Sequence, residues 1–203
     1  MGYLIAIFAA YTLGSSNMAY YISRMKQVDI RKNGSGNLGA SNAAVLFGWG
    51  PAVLVALHDI GKAVLAVLLA KLVFPQLPFV GAAAGVACVL GHIFPFYLRF
   101  KGGKGLASFL GMLIALDWRV ALAAAILLVA VTLVTDFIAL GTITVSVVGP
   151  VGMWIVGSGI VIPLILAVAT VVMIFKHSDN IVRIRNKQEI GLLSTIKGEN
   201  RVK

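Results

Sequence analysis

An all-α integral membrane protein, with about seven transmembrane helices, its N-terminus outside and its C-terminus cytoplasmic, is the fold class this sequence predicts. Three observations lead there. Of the 203 residues, 60% are hydrophobic and 12% charged, where a soluble domain is roughly a quarter charged, and the mean hydropathy is +0.97. Apolar runs recur at about the 20-residue length of a bilayer-crossing helix. The cations gather in segments that an odd number of spans puts on one side of the membrane.

The spans follow in chain order. Tyr3–Ile22 is the first. No cation precedes it and Arg24 follows it, so it reads as a first span entered from outside and not as a cleavable signal. Ala52–Val73 is the second, interrupted by His58, Asp59 and Lys62. Phe79–Leu98 is the third. Leu106–Leu116 and Val120–Val134 are short, with "DWR" between them. Phe137–Ile155 and Ile160–Phe175 complete the set.

Fourteen of the 17 Lys and Arg residues lie in three segments. Arg24, Lys26, Arg31 and Lys32 follow the first span, and Arg99, Lys101 and Lys104 follow the third. Lys176, Arg183, Arg185, Lys187, Lys197, Arg201 and Lys203 make up the tail. Seven spans put all three on one side, which the positive-inside rule makes cytoplasmic. The net charge of +10 is thus read as cationic loops beside lipid, and not as a nucleic-acid surface. Cys88 is the single cysteine, so no intramolecular disulfide is available. "GAAAG", Gly81 to Gly85, is a small-residue face for helix packing. Asp59 and Lys62 are three apart on a helix and able to pair, either as a brace or in support of a site.

Three polar segments share the cytoplasmic face. The first is "RKNGSGNLGASN", Arg31 to Asn42. Gly34, Gly36 and Gly39 permit backbone conformations closed to other residues, and successive N–H groups in such a loop cradle anions. Ser35, Asn37, Ser41 and Asn42 add short polar side chains, of which Ser41 or Asn42 can also cap a following helix. The second is "GHIFPFYLRFKGGKGLASFLG", Gly91 to Gly111, where the lysines of "KGGKG" meet a helix start. It is no Walker A loop, since Leu98 and Gly105 stand where that motif needs Gly and Ser or Thr. The third is "KHSDNIVRIRNKQEIG", Lys176 to Gly191, with His177, Asn180 and Arg183 at helical spacing. Each alone reads equally as a site or as a plain structural feature: a glycine turn for the first, a basic turn for the second and a basic juxtamembrane helix for the third. Together they read as a pocket for phosphate-bearing molecules.

These residues resemble the bacterial acyl-phosphate:glycerol-3-phosphate acyltransferases (PlsY). "GSGNLGASN", "GHIFPFYLRFKGGKGLA" and "HSDNIVRI…E" look like that family's three motifs in order, and "DIGKA" is similar to its Asp…Lys-Gly pattern. The resemblance spans nearly the whole chain and implies a single polytopic acyltransferase domain over 1–203. It implies a bacterial cytoplasmic (inner) membrane enzyme of phospholipid biosynthesis, with its active site on the cytoplasmic face. The substrates would be acyl phosphate and glycerol 3-phosphate, and the products 1-acyl-glycerol 3-phosphate (lysophosphatidic acid) and inorganic phosphate. A separate enzyme would make the donor, and no cofactor or metal is implied.

His177, Ser35, Lys104 and Asn180 are the expected catalytic residues. Gly34, Gly36, Asn37, Gly39, Ser41, Asn42, His92, Lys101, Gly102, Gly103, Thr142, Arg183 and Glu189 are the expected substrate-binding residues. The loop N–H groups, the "KGGKG" amides and Lys104 would hold the two phosphates. The proton acceptor is either His177 or an oxygen of a substrate phosphate. Three positions depart from the family pattern. Val45 replaces an Arg, Lys187-Gln188-Glu189 replaces Gly-Thr-Glu, and Thr142 in "FIALGTITVS" occupies one position of a Ser-rich stretch. The His-x4-Asp acyltransferase mechanism is absent, since Ala63, Tyr97 and Val182 stand five residues after the three histidines. A transporter for a phosphorylated solute would show polar groups in both membrane halves and a repeat, whereas here the polar groups are biased to the cytoplasmic side and the spans show no repeat.

Overall fold

A computed structural model describes residues 1–192. Lys197, Arg201 and Lys203, counted above with the cationic tail, lie outside the described residues. The described chain is entirely helical in its regular structure and divides into two compact units, Met1–Leu116 and the part from Asp117 onward.

The first unit holds α1 (Gly2–Ser15), α2 (Met18–Met25), α3 (Ala40–Phe47), α4 (Trp49–Val73), α5 (Val80–Ile93) and α6 (Leu106–Leu116). α4 is its axis and touches the other five. The tightest pairing is α1 on α5, and small residues make it possible. A Cβ on Gly14 would enter the Cys88 backbone, and one on Gly91 would strike the Tyr11 carbonyl oxygen and come within 2.9 Å of the Ser15 nitrogen. Ala6, Ala10, Ala63, Ala66, Ala84 and Ala87 fill the same core. The "GAAAG" face does pack as expected: Gly81 lies against the Lys71 side chain, and Gly85 against Met112 and Val67.

The expected first span, Tyr3–Ile22, is divided. α1 stops at Ser15, and α2 begins with Asn17 as its N-cap, the side chain accepting the Tyr20 N–H at 2.9 Å. An Asn oxygen that satisfies a first-turn amide starts a new helix where apolar content alone would continue the old one. The other side of that amide donates to the Leu38 carbonyl at 3.2 Å, so the break also anchors the polar loop.

The second unit holds α7 (Trp118–Thr135), α8 (Ile138–Ile155), α9 (Val161–Lys176) and α10 (Ser178–Arg185), with α8 packed on both α7 and α9. "DWR" is a helix start. Asp117 accepts the Arg119 N–H at 2.9 Å and pairs with its guanidinium at 2.6 Å. The Arg119 side chain holds that carboxyl well below the usual range, at about 2.

α4, α7, α8 and the stretch Val80–Leu98 are long and apolar enough to cross a membrane. α9 and α10 together meet the same test with a bend of 42° between them, and α6 is apolar but shorter. On α7, Leu122, Ile126, Val129 and Leu133 recur at helical spacing and each is more than half exposed. A water-soluble surface does not present such a stripe, whereas lipid covers it without cost.

Two predictions follow from this packing. Gly14→Ala and Gly91→Ala overpack the α1–α5 contact and each lowers stability by about 1–3 kcal/mol. Gly61→Ala, in α4 with nothing within 4 Å of the added carbon, raises it by about 0.5–1 kcal/mol through helix propensity. Thermal unfolding in detergent checks the contrast, and equal shifts in all three variants would contradict this account. Lys187 has φ +57°, a left-handed conformation that costs a side-chain-bearing residue roughly 1–2 kcal/mol. Lys187→Gly is therefore stabilising, which the same melts read directly.

Candidate active site

The polar loop between α2 and α3 is built inward from its buried residues. Ile30 and Leu38 are almost fully buried in a cluster with Ala19, Ala43, Val55 and Leu98. Asn42 is also buried, at 2% exposure. Its Oδ1 accepts the Ser35 N–H at 2.9 Å, and its Nδ2 donates to the carbonyls of Ile30 (3.2 Å) and Asn33 (3.1 Å). Both N–H bonds of that amide are therefore committed to the loop. Asn42 shapes the loop from within helix α3. It does not cap that helix and neither does Ser41, because the N-cap is Gly39.

Gly34 and Gly36 have φ of +59° and +69°, as a glycine-dependent turn requires. Gly39 does not, since its φ is −140°. Its missing side chain instead makes room for Asn37, whose Nδ2 lies 2.9 Å from where a Cβ would stand. Ser35 is exposed on the loop, Ser41 is exposed in the first turn of α3 and Asn37 is half-buried. Arg31 pairs with Asp29 through two nitrogens at 3.0 and 3.1 Å, and this holds the Asp29 carboxyl below the ordinary carboxylate range. The guanidinium that opens the loop is thus already matched by an anion.

The second segment reverses on itself. α5 ends at Ile93, and a 3₁₀ turn, Phe96–Leu98, leads through Arg99 and Phe100, both at positive φ. The chain then folds back along the end of α5. The Gly102 N–H donates to the Ile93 carbonyl at 3.0 Å, and the Gly103 N–H to the His92 carbonyl at 3.1 Å. These amides were expected to face an anion. The structure commits them to α5, because that helix's last carbonyls have no intrahelical partner. The two glycines serve close approach: a Cβ on Gly102 would strike the His92 carbonyl oxygen, and one on Gly103 the His92 ring at Nε2. Lys101 is exposed and Lys104 half-buried just before α6. The first-turn amides of α6 complete a cationic helix start.

His92 precedes this loop in the same segment, and the fold-back sets Gly103 against its ring. The histidine is 3% exposed and joins a buried polar network. Lys62 Nζ lies 2.7 Å from Asp59 Oδ1, 3.0 Å from His92 Nδ1 and 2.7 Å from the Ser16 carbonyl. His58 reaches Asp59 at 3.4 Å through Nδ1 and the Ser16 hydroxyl at 3.1 Å through Nε2. Ser16 Oγ in turn meets the Tyr21 hydroxyl at 3.3 Å, which accepts from Tyr97 at 3.3 Å. Ser16, His58 and the two tyrosines are participants that the sequence motifs did not single out. A Ser-Ser-Asn run inside an apolar segment was the available signal. Among the described residues no group of three or more His, Cys, Asp or Glu side chains is arranged to hold a metal ion.

The second unit carries the third segment. His177 closes α9 and is 3% exposed. Its Nδ1 lies 2.7 Å from the Met173 carbonyl. A carbonyl oxygen only accepts, so Nδ1 carries the proton and the neutral ring has its lone pair on Nε2. Glu189 gathers two residues that follow His177: Oε1 accepts from Asn180 Nδ2 and Oε2 from Arg183 Nε, both at 2.6 Å. One of the two N–H bonds of the Asn180 amide is thereby committed to Glu189. Lys187, in the turn that returns Glu189 toward α10, holds the left-handed conformation that a Gly would take without strain. Thr142 is buried in α8, with its hydroxyl bonded to the Ile138 carbonyl at 2.8 Å. Val45 is exposed on α3.

Comparison with known proteins bears on the family. The family model for glycerol-3-phosphate acyltransferase matches residues 4–187. A glycerol-3-phosphate acyltransferase from Synechococcus sp. (strain CC9902) is 38% identical over 182 residues, covering 89% of this chain and 90% of its own length. One from Halalkalibacterium halodurans is 35% identical over 196 residues, covering 93% and 94%. The crystal structure of PlsY, an integral membrane glycerol 3-phosphate acyltransferase, in its glycerol 3-phosphate form superposes with a TM-score of 0.91 at 30% identity, covering 99% of this chain and all of that one. The lysophosphatidic acid form of PlsY superposes with a TM-score of 0.86. An apolar helical chain with these motifs in this order, matched by relatives along nearly its full length, belongs to the glycerol-3-phosphate acyltransferase family of integral membrane proteins, to which PlsY also belongs.

Proposed function

We propose that this protein transfers a fatty acyl group from acyl phosphate to the 1-hydroxyl of glycerol 3-phosphate. The products are 1-acyl-glycerol 3-phosphate and inorganic phosphate. The observation that carries the reading is the match, over 99% of the chain, to PlsY in its glycerol 3-phosphate form. Acyl phosphate as the donor rests on the motif resemblance. A separate enzyme supplies that donor. The membrane is the bacterial cytoplasmic membrane, crossed seven times by α1 with α2, α4, α5, α6, α7, α8 and α9. The N-terminus is outside and the polar segments face the cytoplasm. Residues 1–203 act as one acyltransferase domain.

The chemistry assigns roles by group. Two dianionic phosphates need donors and positive charge. Ser35 and Asn37 on the first loop, and Lys104 with the first turn of α6, supply them. The glycerol 3-phosphate hydroxyl oxygen attacks the acyl carbonyl carbon. The bond from that carbon to the phosphate oxygen breaks and phosphate leaves with its electron pair. The hydroxyl proton goes to His177 Nε2, whose lone pair is directed by the Nδ1–H bond to Met173, or to an oxygen of a bound phosphate. Phosphate is already a good leaving group, so transfer is direct and needs no acyl-enzyme. Glu189 holds Asn180 and Arg183 in place rather than acting on substrate.

Phosphate release by the purified protein in detergent or lipid, given acyl phosphate and glycerol 3-phosphate, tests the reaction, and acyl-CoA is expected to fail as donor. No release with any donor would overturn the proposal. Ser35→Ala and Lys104→Ala are expected to lower kcat/KM by about a hundredfold while the protein stays folded, in line with loss of a charge-stabilising donor. Full activity in both would remove them from the phosphate cradle. His177→Ala and His177→Gln are expected to lower kcat by about a hundredfold or more and to abolish the acidic limb of the pH profile. Near-wild-type kcat with an unchanged profile would assign the proton to the substrate phosphate.

A further inference from the structure

Lys62 sits within α4 at 5% exposure. Its ammonium has three N–H bonds and three neighbours: the Ser16 carbonyl at 2.7 Å, Asp59 Oδ1 at 2.7 Å and His92 Nδ1 at 3.0 Å. An ammonium has no lone pair. A nitrogen-to-nitrogen contact of that length is attractive only when Nδ1 provides one. Asp59 Oδ1 also lies 3.3 Å from Nδ1, a contact that suits the opposite tautomer. The closer partner decides. A protonated Nδ1 would face an ammonium proton across a hydrogen-bond distance, and a doubly protonated ring would add a second cation there. Nδ1 therefore accepts, and Nε2 bears the proton.

Nε2 lies on the other side of the ring, against Gly103, where an added Cβ would strike it. The loop is held on that ring from both ends of the residue, since the His92 carbonyl accepts the Gly103 N–H at 3.1 Å. We propose that Lys62 is a positioning residue that holds His92 as its Nε2–H tautomer, so that the imidazole donates a hydrogen bond to a phosphate oxygen bound beside Gly103 and Lys104. The inference rests on the proposed acyl transfer between two phosphate-bearing substrates. It adds to that reading a donor fixed from α4, a helix outside the three polar segments. Lys62 also ties this donor to the α1–α2 break through Ser16, so that loop and ring keep one register.

The test reads the tautomer and the kinetics separately. Ring-nitrogen chemical shifts of isotope-labelled histidine in the full chain, assigned with His92→Gln, are expected to show Nδ1 unprotonated and Nε2 protonated. In Lys62→Met, Nδ1 turns to Asp59, the two shifts exchange, and kcat/KM for glycerol 3-phosphate falls about tenfold or more, as for loss of a hydrogen bond to a charged group. A purely structural lysine would leave the tautomer as it was. A protonated Nδ1 in the wild-type protein overturns the proposal even if Lys62→Met does not fold. In that case Gly103→Ala, which displaces Nε2, reports on the donor: KM for glycerol 3-phosphate is expected to rise tenfold, and an unchanged KM overturns the proposal. A flipped tautomer with wild-type kinetics overturns it as well. A wild-type protein that releases no phosphate would instead overturn the acyl-transfer reading, with the wild-type tautomer still measurable.

Discussion

One ammonium sets the arrangement of the first unit. A charged group at the centre of a bilayer span costs about 2.5–3.5 kcal/mol on insertion scales, and Lys62 is nearly fully buried. The cost is offset only because each N–H bond meets an acceptor, and the acceptors come from α4 itself, from α5 and from the point where α1 gives way to α2. That last contact requires a carbonyl released from helical bonding, which is what a break after Ser15 provides. The divided first helix, the deep carboxylate of Asp59 and the buried histidine of α5 are therefore one feature seen from three elements. Removing any member leaves a buried charge or acceptor unmatched, which typically costs several kcal/mol.

The two polar segments of that unit obey the same rule of backbone satisfaction in different ways. The first loop closes around a side chain, with Asn42 serving two carbonyls and one amide from inside α3. The second closes on the end of a helix, with Gly102 and Gly103 serving the last carbonyls of α5. Both leave their exposed polar groups on short, well-anchored turns. Loops anchored in this way leave less ordering to be done when a ligand arrives.

Apolar run length located the long helices well: α4 and α6 to α9 fall within three residues of the runs read from sequence. It failed at Asn17 because hydropathy does not register an N-cap that interrupts an otherwise apolar stretch. The glycine-rich motifs were legible as sites of close approach, but not which partner approaches. Gly39 yields to Asn37 and Gly103 to His92, and neither follows from spacing. The Asp59–Lys62 pair was readable from its spacing of three. Its extension to His92 was not, because residues 62 and 92 meet only through helix packing. The Lys-Gln-Glu sequence at 187–189 shows the reverse case. The departure from Gly-Thr-Glu is tolerated since Glu189 still reaches Asn180 and Arg183, while Lys187 carries the strain.

The two motif histidines differ in what their Nδ1 atoms meet, and this divides their chemistry. His177 Nδ1 faces the Met173 carbonyl one helical turn earlier, a partner that any helix end can offer and that compels Nδ1–H. Its Nε2 is then the basic nitrogen, suited to taking a proton. His92 Nδ1 lies 3.0 Å from the Lys62 ammonium and 3.3 Å from Asp59 Oδ1, and the nearer partner favours the opposite tautomer, with the proton on Nε2. Interchanging the partners would interchange the tautomers. In each unit the contact that bears on the ring's tautomer is made at Nδ1, by a backbone carbonyl for His177 and by a side-chain ammonium for His92.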